Sequence, residues 1–153
     1  MRVIALIQAR MGSTRLPGKV LLPILGVPMI EILLARLSNS KEIDEIIVAS
    51  SIDPQNNKLQ SVVENLGYKC TRGSEKNVLG RFYESAKANR ADVVVRITGD
   101  CPLVDPELVD QCIQGFKDAK VDYFSNVDPI TYPDGLDVEV MSFESIERAN
   151  NET

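Results

Sequence analysis

Residues 3–19 read VIALIQARMGSTRLPGK, an apolar run followed by a loop rich in glycine and in basic side chains. The run at 3–7 predicts a buried parallel strand, and the residues after the loop have helical spacing. In an open α/β sheet, ligand-binding loops follow the carboxyl ends of the strands. We therefore expect the loop at 8–19 to line a binding site.

The charge of the amino-terminal segment contrasts with that of the whole chain. The chain has a net charge of −5. Residues 1–30, in contrast, contain no acidic residue and four basic ones: Arg2, Arg10, Arg15 and Lys19. Converging cations and exposed backbone N–H groups suit a polyphosphate. A solvated basic turn is the alternative. The density of cations, glycines and hydroxyls within residues 10–19 favours the polyphosphate site.

Two common phosphate-binding motifs are absent from this loop. A P-loop has four residues between its glycines and a Ser or Thr after its Lys. Here five residues separate Gly12 from Gly18, and Val20 follows Lys19. The dinucleotide fingerprint Gly-x-Gly-x-x-Gly is also missing, which argues against an ordinary NAD site.

Length and composition narrow the class of protein further. With 153 residues, 44% of them hydrophobic, we expect one domain spanning 1–153. The acidic balance argues against a nucleic-acid partner. No segment reaches the roughly 18 apolar residues of a membrane span, and 3–7 is too short for a signal-peptide core. The chain has no His, and Cys70, Cys101 and Cys112 lack metal-ligand spacing, so we expect no zinc site, reduced thiols and a cytoplasmic protein.

Strand and helix patterns alternate along the rest of the chain. The predicted strands are 3–7, 45–50, 68–71, 92–98, 121–125 and 136–141. The predicted helices are 29–37, 54–66, 78–89, 106–117 and 143–149, with Asp105 and Ser142 as caps. This order predicts a three-layer α/β/α fold with a mainly parallel sheet, and the apolar strand 92–98 is expected near its centre.

A second informative segment, ITGDCPLVD at 97–105, follows that strand. Gly99 lets the backbone approach a ligand closely. Asp100 is expected to face the same crevice as the basic loop. One or two carboxylates with substrate phosphates are a usual magnesium site. From these residues alone, an Asx turn before Pro102 is the simpler explanation of Asp100.

A third segment, YPDGLDVEV at 132–140, contains a Pro-Asp-Gly turn followed by alternating acids. Asp137 and Glu139 are expected on one face of a strand. Buried and unpaired carboxylates are costly, so these two must reach solvent, pair with a cation or hold a metal.

The three segments together resemble the cytidylyltransferases that activate acidic sugars, such as the acylneuraminate and 3-deoxy-manno-octulosonate enzymes. The motifs that show this resemblance are ARMGSTRLPGK at 9–19, Gly-Asp-x-Pro-Leu at 99–103 and PDGLDVEV at 133–140. The form of the first motif is most similar to the spore coat polysaccharide branch. The resemblance covers nearly all of the chain and implies a Rossmann-like fold of the nucleotide-diphospho-sugar transferase type.

This resemblance implies a reaction in which CMP passes from CTP to the anomeric hydroxyl of a small acidic sugar, with release of pyrophosphate, for surface polysaccharide biosynthesis. The catalytic residues it implies are Arg10, Lys19 and Asp100. Magnesium would be held by Asp100 and Asp137, although Asp137 is equally suited to sugar hydroxyls. The implied nucleotide-binding residues are Ala9, Gly12, Ser13, Arg15, Arg72, Ser74 and Arg81.

Further expectations concern the ends of strands, the end of the chain and other functions. Gln8, Ser50 and Ser51 end predicted strands and are candidate contacts to base or ribose. In relatives a second metal-binding Asp comes from a later strand, so we expect the C-terminal part of the family fold to be absent beyond Thr153. A homodimer is left open.

Two other functions are considered. Glycosyltransferases that use nucleotide sugars typically have an Asp-x-Asp pair after the central strand, whereas here Cys101 and Pro102 follow Asp100, which disfavours that function. A non-catalytic nucleotide-binding domain is the other alternative.

Overall fold

Alternating strands and helices make up the computed structural model, which describes residues 1–153. The strands are β1 (Val3–Gln8), β2 (Pro23–Ile24), β3 (Val27–Pro28), β4 (Glu45–Ser51), β5 (Lys69–Gly73), β6 (Val93–Thr98), β7 (Tyr123–Ser125) and β8 (Glu139–Ser142). The helices are α1 (Met29–Leu37), α2 (Asn57–Asn65), α3 (Val78–Ala88), α4 (Pro106–Ala119) and α5 (Phe143–Glu152). None of these helices has the length and apolar character needed to cross a membrane.

Six strands form one mixed sheet in the order β5-β4-β1-β6-β8-β7. The four strands β5, β4, β1 and β6 are parallel, whereas β8 runs antiparallel to β6 and β7 antiparallel to β8. β1 and β6 are the two middle strands. The predicted mainly parallel sheet and the central position of the strand at 92–98 are therefore confirmed.

Helices cover both faces of this sheet, as a three-layer fold requires. Val3, Ala5 and Ile7 of β1 pack in a core with α1, α2 and α4. Ile4 and Leu6 point to the other face, where they pack with α3 and α5. Because both faces of β1 are buried, its sequence is a continuous apolar run rather than an alternating one. Each buried Val, Leu or Ile side chain of β1 contributes about 1.5–3 kcal/mol by its burial.

Several element boundaries differ from the predicted ones, and polar side chains explain two of them. The last strand begins at Glu139 rather than at 136 because the Asn126 side chain takes the place of a strand partner. Its Oδ1 accepts from the Val138 N–H at 2.8 Å and its Nδ2 donates to the Leu136 carbonyl at 2.8 Å. Asp53 caps a short 3-10 turn at Pro54–Asn56, so α2 begins three residues later than predicted.

The β2–β3 hairpin is absent from the predicted elements. Its turn contains Leu25 and Gly26 with φ of 51° and 83°, and an apolar residue at a positive φ gives no recognisable turn signal. The predicted helix caps are confirmed. Asp105 accepts from the N–H groups of Glu107 and Leu108, and Ser142 accepts from that of Ser145.

The position of the candidate site follows from the strand order. The chain leaves β1 towards β4 on one side and leaves β6 towards α4, β7 and β8 on the other. Gln8 and Thr98 are paired neighbours at the carboxyl ends of these two strands. A crevice at such a switch point is where open α/β sheets bind ligands.

Candidate active site

A cavity of about 270 Å³ opens at the carboxyl ends of β1 and β6. We call it the basic cavity. It is lined by residues 8–10, 13–15, 19–20 and 98–100, so the structure brings together the basic loop and the segment that contains Asp100. Its charged side chains are Arg10, Arg15, Lys19 and Asp100, which give a formal charge of +2. Such a lining suits a polyphosphate.

Backbone and side-chain hydrogen bonds hold the basic loop in shape. The N–H of Gly18, at φ 73°, donates to the Met11 carbonyl at 2.8 Å and closes the loop. The Met11 N–H donates to Oδ1 of Asn56 at 2.8 Å. Asn56 is fully buried and donates in turn to the Ser51 hydroxyl at 2.7 Å. The loop is thus anchored to the end of β4 by a residue that no sequence motif indicates.

Gly99 fastens the two segments together through its backbone. Its N–H donates to the Gln8 carbonyl at 2.7 Å. A Cβ at this position would lie 2.8 Å from the Ala9 Cβ and 2.9 Å from the Gln8 carbonyl oxygen. The close approach expected of Gly99 therefore occurs to the neighbouring backbone, and it fixes where Asp100 follows.

Lys19 and Asp100 form an ion pair across the basic cavity. The Lys19 Nζ donates to Asp100 Oδ2 at 2.9 Å, and 46% of the Asp100 side chain remains exposed. This hydrogen bond lowers the pKa of Asp100, so the carboxylate is ionised at neutral pH. The neighbouring Cys101 is buried, and burial raises the pKa of its thiol. Asp100 therefore offers an accessible anionic oxygen, while Cys101 does not offer a thiolate.

The donor chemistry of Asp100 fits magnesium. Mg²⁺ prefers hard oxygen ligands and commonly takes one or two carboxylates, with substrate phosphates and water completing the shell. No group of three or more His, Cys, Asp or Glu side chains comes together as a preformed metal site. A cation at Asp100 would therefore depend on ligand phosphates for the rest of its coordination.

Arg10 is held by Glu75, a residue that no motif indicates. The Arg10 Nη1 donates to Glu75 Oε1 at 2.5 Å. The nearby Ser51 hydroxyl, followed by the contact with Arg10, lowers the pKa of Glu75. Glu75 follows the end of β5 by two residues, on the same sheet edge as the basic loop. That shared edge is the signal that could have revealed it.

The other loop residues differ in their exposure and in whether they line the basic cavity. Arg15 is exposed and makes no ion pair or side-chain hydrogen bond. Ser13 borders the cavity while its hydroxyl accepts from the Leu16 N–H at 3.3 Å. Ala9 borders it but is 3% exposed. Gly12 lies just outside, where a Cβ would meet the Gln55 side chain at 2.8 Å.

Arg72, Ser74 and Arg81 do not border the basic cavity. The Arg72 guanidinium donates to the carbonyls of Ser51 and Asp53 and to the side chains of Gln60 and Asn57, so it ties β4 to α2. Their contacts with a nucleotide stay predictions.

Arg81 is bound to Ser74 and is 2% exposed. Its Nη1 donates to the Ser74 carbonyl at 3.1 Å, and burial lowers its pKa. Glu75, the next residue after Ser74, is the carboxylate that favours its charged form. The charge of Arg81 therefore lies behind the Arg10–Glu75 pair rather than in the cavity.

The interpretation of Ser50 and Ser51 as base or ribose contacts is wrong, because both are fully buried. They sit on a parallel strand covered on both faces, and polar residue type does not reveal that depth. Gln8 does border the basic cavity, but its Oε1 accepts hydrogen bonds from Arg96 at 3.0 and 3.3 Å.

A second cavity of about 230 Å³ adjoins the first and shares Thr98 with it. Its other lining residues are Arg96, Val127, Asp137 and Glu139, and we call it the acidic cavity. Glu139 pairs with Arg96, whereas Asp137 is exposed. Besides burial, the charges of Asp100 and Asp137 both raise the pKa of the Cys101 thiol, so the two carboxylates lie near each other; the role of Asp137 as a metal ligand stays a prediction.

Comparison with known proteins gives a consistent family. A family model described as cytidylyltransferase matches residues 4–152. The chain is 42% identical over 125 residues to the spore coat polysaccharide biosynthesis protein SpsF of Bacillus subtilis, covering 79% of this chain and 52% of that protein. It is 35% identical over 120 residues to a 3-deoxy-manno-octulosonate cytidylyltransferase of Pelobacter propionicus, covering 77% and 46%.

A solved structure agrees with this. The cytidylyltransferase of Leptospira borgpetersenii superposes with a TM-score of 0.95 at 32% identity, covering 100% of this chain and 65% of that one. The chain spans about half the length of the curated relatives it matches.

Proposed function

This chain belongs to the cytidylyltransferase family, and we propose that it transfers CMP from CTP to the anomeric hydroxyl of a small acidic sugar, with release of pyrophosphate. The observation that carries the proposal is the basic cavity at the switch point, where three cations and Asp100 converge. The similarity to SpsF supports a role in surface polysaccharide biosynthesis. We place the reaction in the cytoplasm, which suits the unpaired cysteines.

The proposed reaction needs no nucleophile from the protein. The anomeric oxygen of the sugar attacks the α-phosphorus of CTP, and the bond from that phosphorus to the bridging oxygen of pyrophosphate breaks. The electron pair leaves with pyrophosphate, and the hydroxyl proton passes to solvent. Catalysis in such a transfer is positioning and stabilisation of charge. The charged residues of the basic cavity are suited to both.

Arg10 and Lys19 neutralise the triphosphate and the departing pyrophosphate. Each is paired with one partly exposed carboxylate, Glu75 or Asp100. Exposed pairs of this kind are worth about 0–1 kcal/mol, so phosphate oxygens replace the carboxylates at low cost. Arg15 has no carboxylate to release and helps close the loop over the ligand, while Ser13 and Gly12 contribute hydroxyl and backbone donors.

We assign magnesium to Asp100. The ion bound there with the phosphates would lower the negative charge that faces the attacking oxygen. Lys19 would then pass from Asp100 to the phosphates, because a cation at Asp100 competes for the same carboxylate oxygens. Asp100 thus holds Lys19 in place before the nucleotide arrives.

Pyrophosphate release tests the proposal. The protein is incubated with CTP, Mg²⁺ and a panel of acidic sugars, and pyrophosphate and the CMP-sugar are measured together. We expect pyrophosphate only in the presence of a sugar acceptor. A protein that binds CTP but forms no CMP-sugar would be a non-catalytic nucleotide-binding domain. Calorimetry that shows tighter binding of a UDP-sugar than of CTP would indicate a glycosyltransferase instead.

A further inference from the structure

One neutral amide side chain lies among the charged groups of the basic cavity. Gln8 ends β1 beside Thr98 of β6, and it borders the basic cavity but not the acidic one. Thr98 is shared by both cavities, so Gln8 lies close to where they meet. Under the proposed function, on which this inference rests, the sugar reaches a phosphate in the basic cavity from adjoining space. A group near this junction can therefore contact either substrate.

Arg96 determines the orientation of the Gln8 amide. The Arg96 Nε and Nη2 donate to Gln8 Oε1 at 3.3 and 3.0 Å. A guanidinium group has only donors, so only the oxygen of the amide can face it. The opposite orientation would place N–H donors against N–H donors. The NH₂ group of Gln8 must therefore point away from Arg96.

Arg96 is itself held from its other side. Its Nη1 donates to the carboxylate of Glu139, which lies directly opposite on β8. The second oxygen of Glu139 accepts from the Tyr123 hydroxyl at 2.6 Å. Hydrogen bonds in such a chain polarise one another, so the contact with Arg96 strengthens the Gln8 NH₂ group as a donor.

The NH₂ group of Gln8 is available to a ligand. Its Nε2 donates to no protein atom, and it is not one of the buried side-chain atoms without a partner, which belong to Ser50, Glu75 and Arg81. The nitrogen therefore stays accessible, and the cavity that Gln8 borders is the basic one. The formal charge of +2 in that cavity attracts anionic groups.

We propose that Gln8 is a preorganised donor to an anionic oxygen of the substrates, either on the α-phosphate of the nucleotide or on the carboxylate of the sugar. Arg96 is then a positioning residue that acts through Gln8. Arg10 and Lys19 must leave a carboxylate before they bind a phosphate, whereas the Gln8 NH₂ group has no partner to exchange. A donor that is fixed before the substrate arrives needs no reorganisation during the reaction.

Two variants of Gln8 separate this role from a structural one. Gln8→Glu keeps an oxygen towards Arg96, and hence the fold, but replaces the NH₂ group by a second oxygen. Gln8→Met removes the NH₂ group without adding charge. We expect kcat/KM for CMP-sugar formation to fall about ten- to hundredfold in Gln8→Met, as for a hydrogen bond to a charged group, and at least as far in Gln8→Glu. Gln111→Glu, at an exposed position of α4, is the matched control.

Further measurements on Gln8→Met identify the oxygen. Weaker binding of CTP and CMP in calorimetry, with pyrophosphate binding unchanged, assigns it to the α-phosphate, and so does a lower kcat alone. Unchanged CTP binding with a higher KM for the sugar assigns it to the sugar carboxylate. Arg96→Met should lower kcat/KM in the wild type but add nothing in Gln8→Met. Independent, additive losses would reject the positioning role of Arg96.

Two results overturn the inference. Wild-type rates in both Gln8 variants would mean that Gln8 only holds Arg96. A loss that is confined to Gln8→Glu and disappears at high salt would come from charge repulsion at a distance. A wild-type protein that forms no CMP-sugar with any acceptor overturns the proposed function instead. In that case, unchanged CTP binding by Gln8→Met overturns the inference as well, and weaker binding supports it.

Discussion

The two adjoining cavities hold their cations in different ways. In the basic cavity, Arg10 and Lys19 are each held by a single carboxylate, and 30–47% and 28–46% of the paired side chains are exposed. In the acidic cavity, Arg96 is held by Glu139 and by both hydrogen bonds to Gln8. Single exposed pairs exchange easily, whereas a network loses several contacts at once. Under the proposed function, this difference predicts that Arg10 and Lys19 move to the nucleotide while Arg96 stays in place.

The largest expected effect is that of removing Lys19, one of the two cations held by a single carboxylate. Lys19→Ala should remove about 3 kcal/mol or more of transition-state stabilisation, by analogy with the loss of one preorganised donor. Steady-state kinetics should then show kcat/KM lower by more than about a hundredfold. Lys58→Ala, on the exposed side of α2, is the control and should leave it unchanged. Unaltered turnover of CTP by Lys19→Ala would reject the role of this residue.

Arg96, which Glu139 and Gln8 hold in place, should matter more for the stability of the fold than Arg10 or Lys19. Glu139→Gln keeps the shape of the side chain but leaves Arg96 without a counter-charge, which should lower the free energy of unfolding by about 1–2 kcal/mol. Urea unfolding measures the change, with the exposed Glu84→Gln of α3 as control. If Glu139→Gln were as stable as the wild type, the contrast between the two cavities would fail.

Removing the carboxylate that competes for Arg10 should act in the opposite direction. In Glu75→Gln, the phosphates of CTP no longer compete with the Glu75 carboxylate for Arg10. CTP should therefore bind about two- to fivefold more tightly, within the range of an exposed ion pair. Titration calorimetry without a sugar acceptor gives this value. Weaker binding of CTP would mean that Glu75 positions Arg10 instead of competing for it.

The smallest effect concerns pH. Lys19 lowers the pKa of Asp100 from its ordinary 3.8, so the pair stabilises the folded state above that pH and the stabilisation is lost as pH falls through the lowered pKa. Because the pair is partly exposed, we expect less than about 1 kcal/mol between wild type and Asp100→Asn at neutral pH. The difference should disappear in acid. A difference that persists below that range would come from another cause.

The sequence predicted most of the fold because hydrophobic periodicity is a local property. The continuous apolar runs of β1 and β6 and the Asp105 cap are all visible within a few residues. The convergence of the basic loop with Asp100 was also predictable, since the carboxyl ends of parallel strands share one edge. Similarity to the family contributed the proposal that the nucleotide is CTP, which spacing alone does not carry.

What could not be predicted depends on contacts between distant polar side chains. The pairing of Arg10 with Glu75 and of Arg96 with Gln8 joins residues that are 65 and 88 positions apart. Asn56 lies within the predicted helix 54–66 and belongs to no motif, so only its complete burial reveals it as an anchor. Asp137 and Asp100 lie near each other, since both carboxylates act on Cys101, but only Asp100 has an ion-pair partner, Lys19.

The side chain of Asn126 has a further consequence for how this protein can change. This side chain bonds the Leu136 carbonyl and the Val138 N–H, and the backbone N–H of Asn126 donates to the Val138 carbonyl, so the intervening Asp137 has no strand partner. Residues at that position can therefore be exchanged without loss of sheet pairing. Divergent evolution or laboratory selection can therefore vary the side chain that borders the acidic cavity while the basic cavity is left intact.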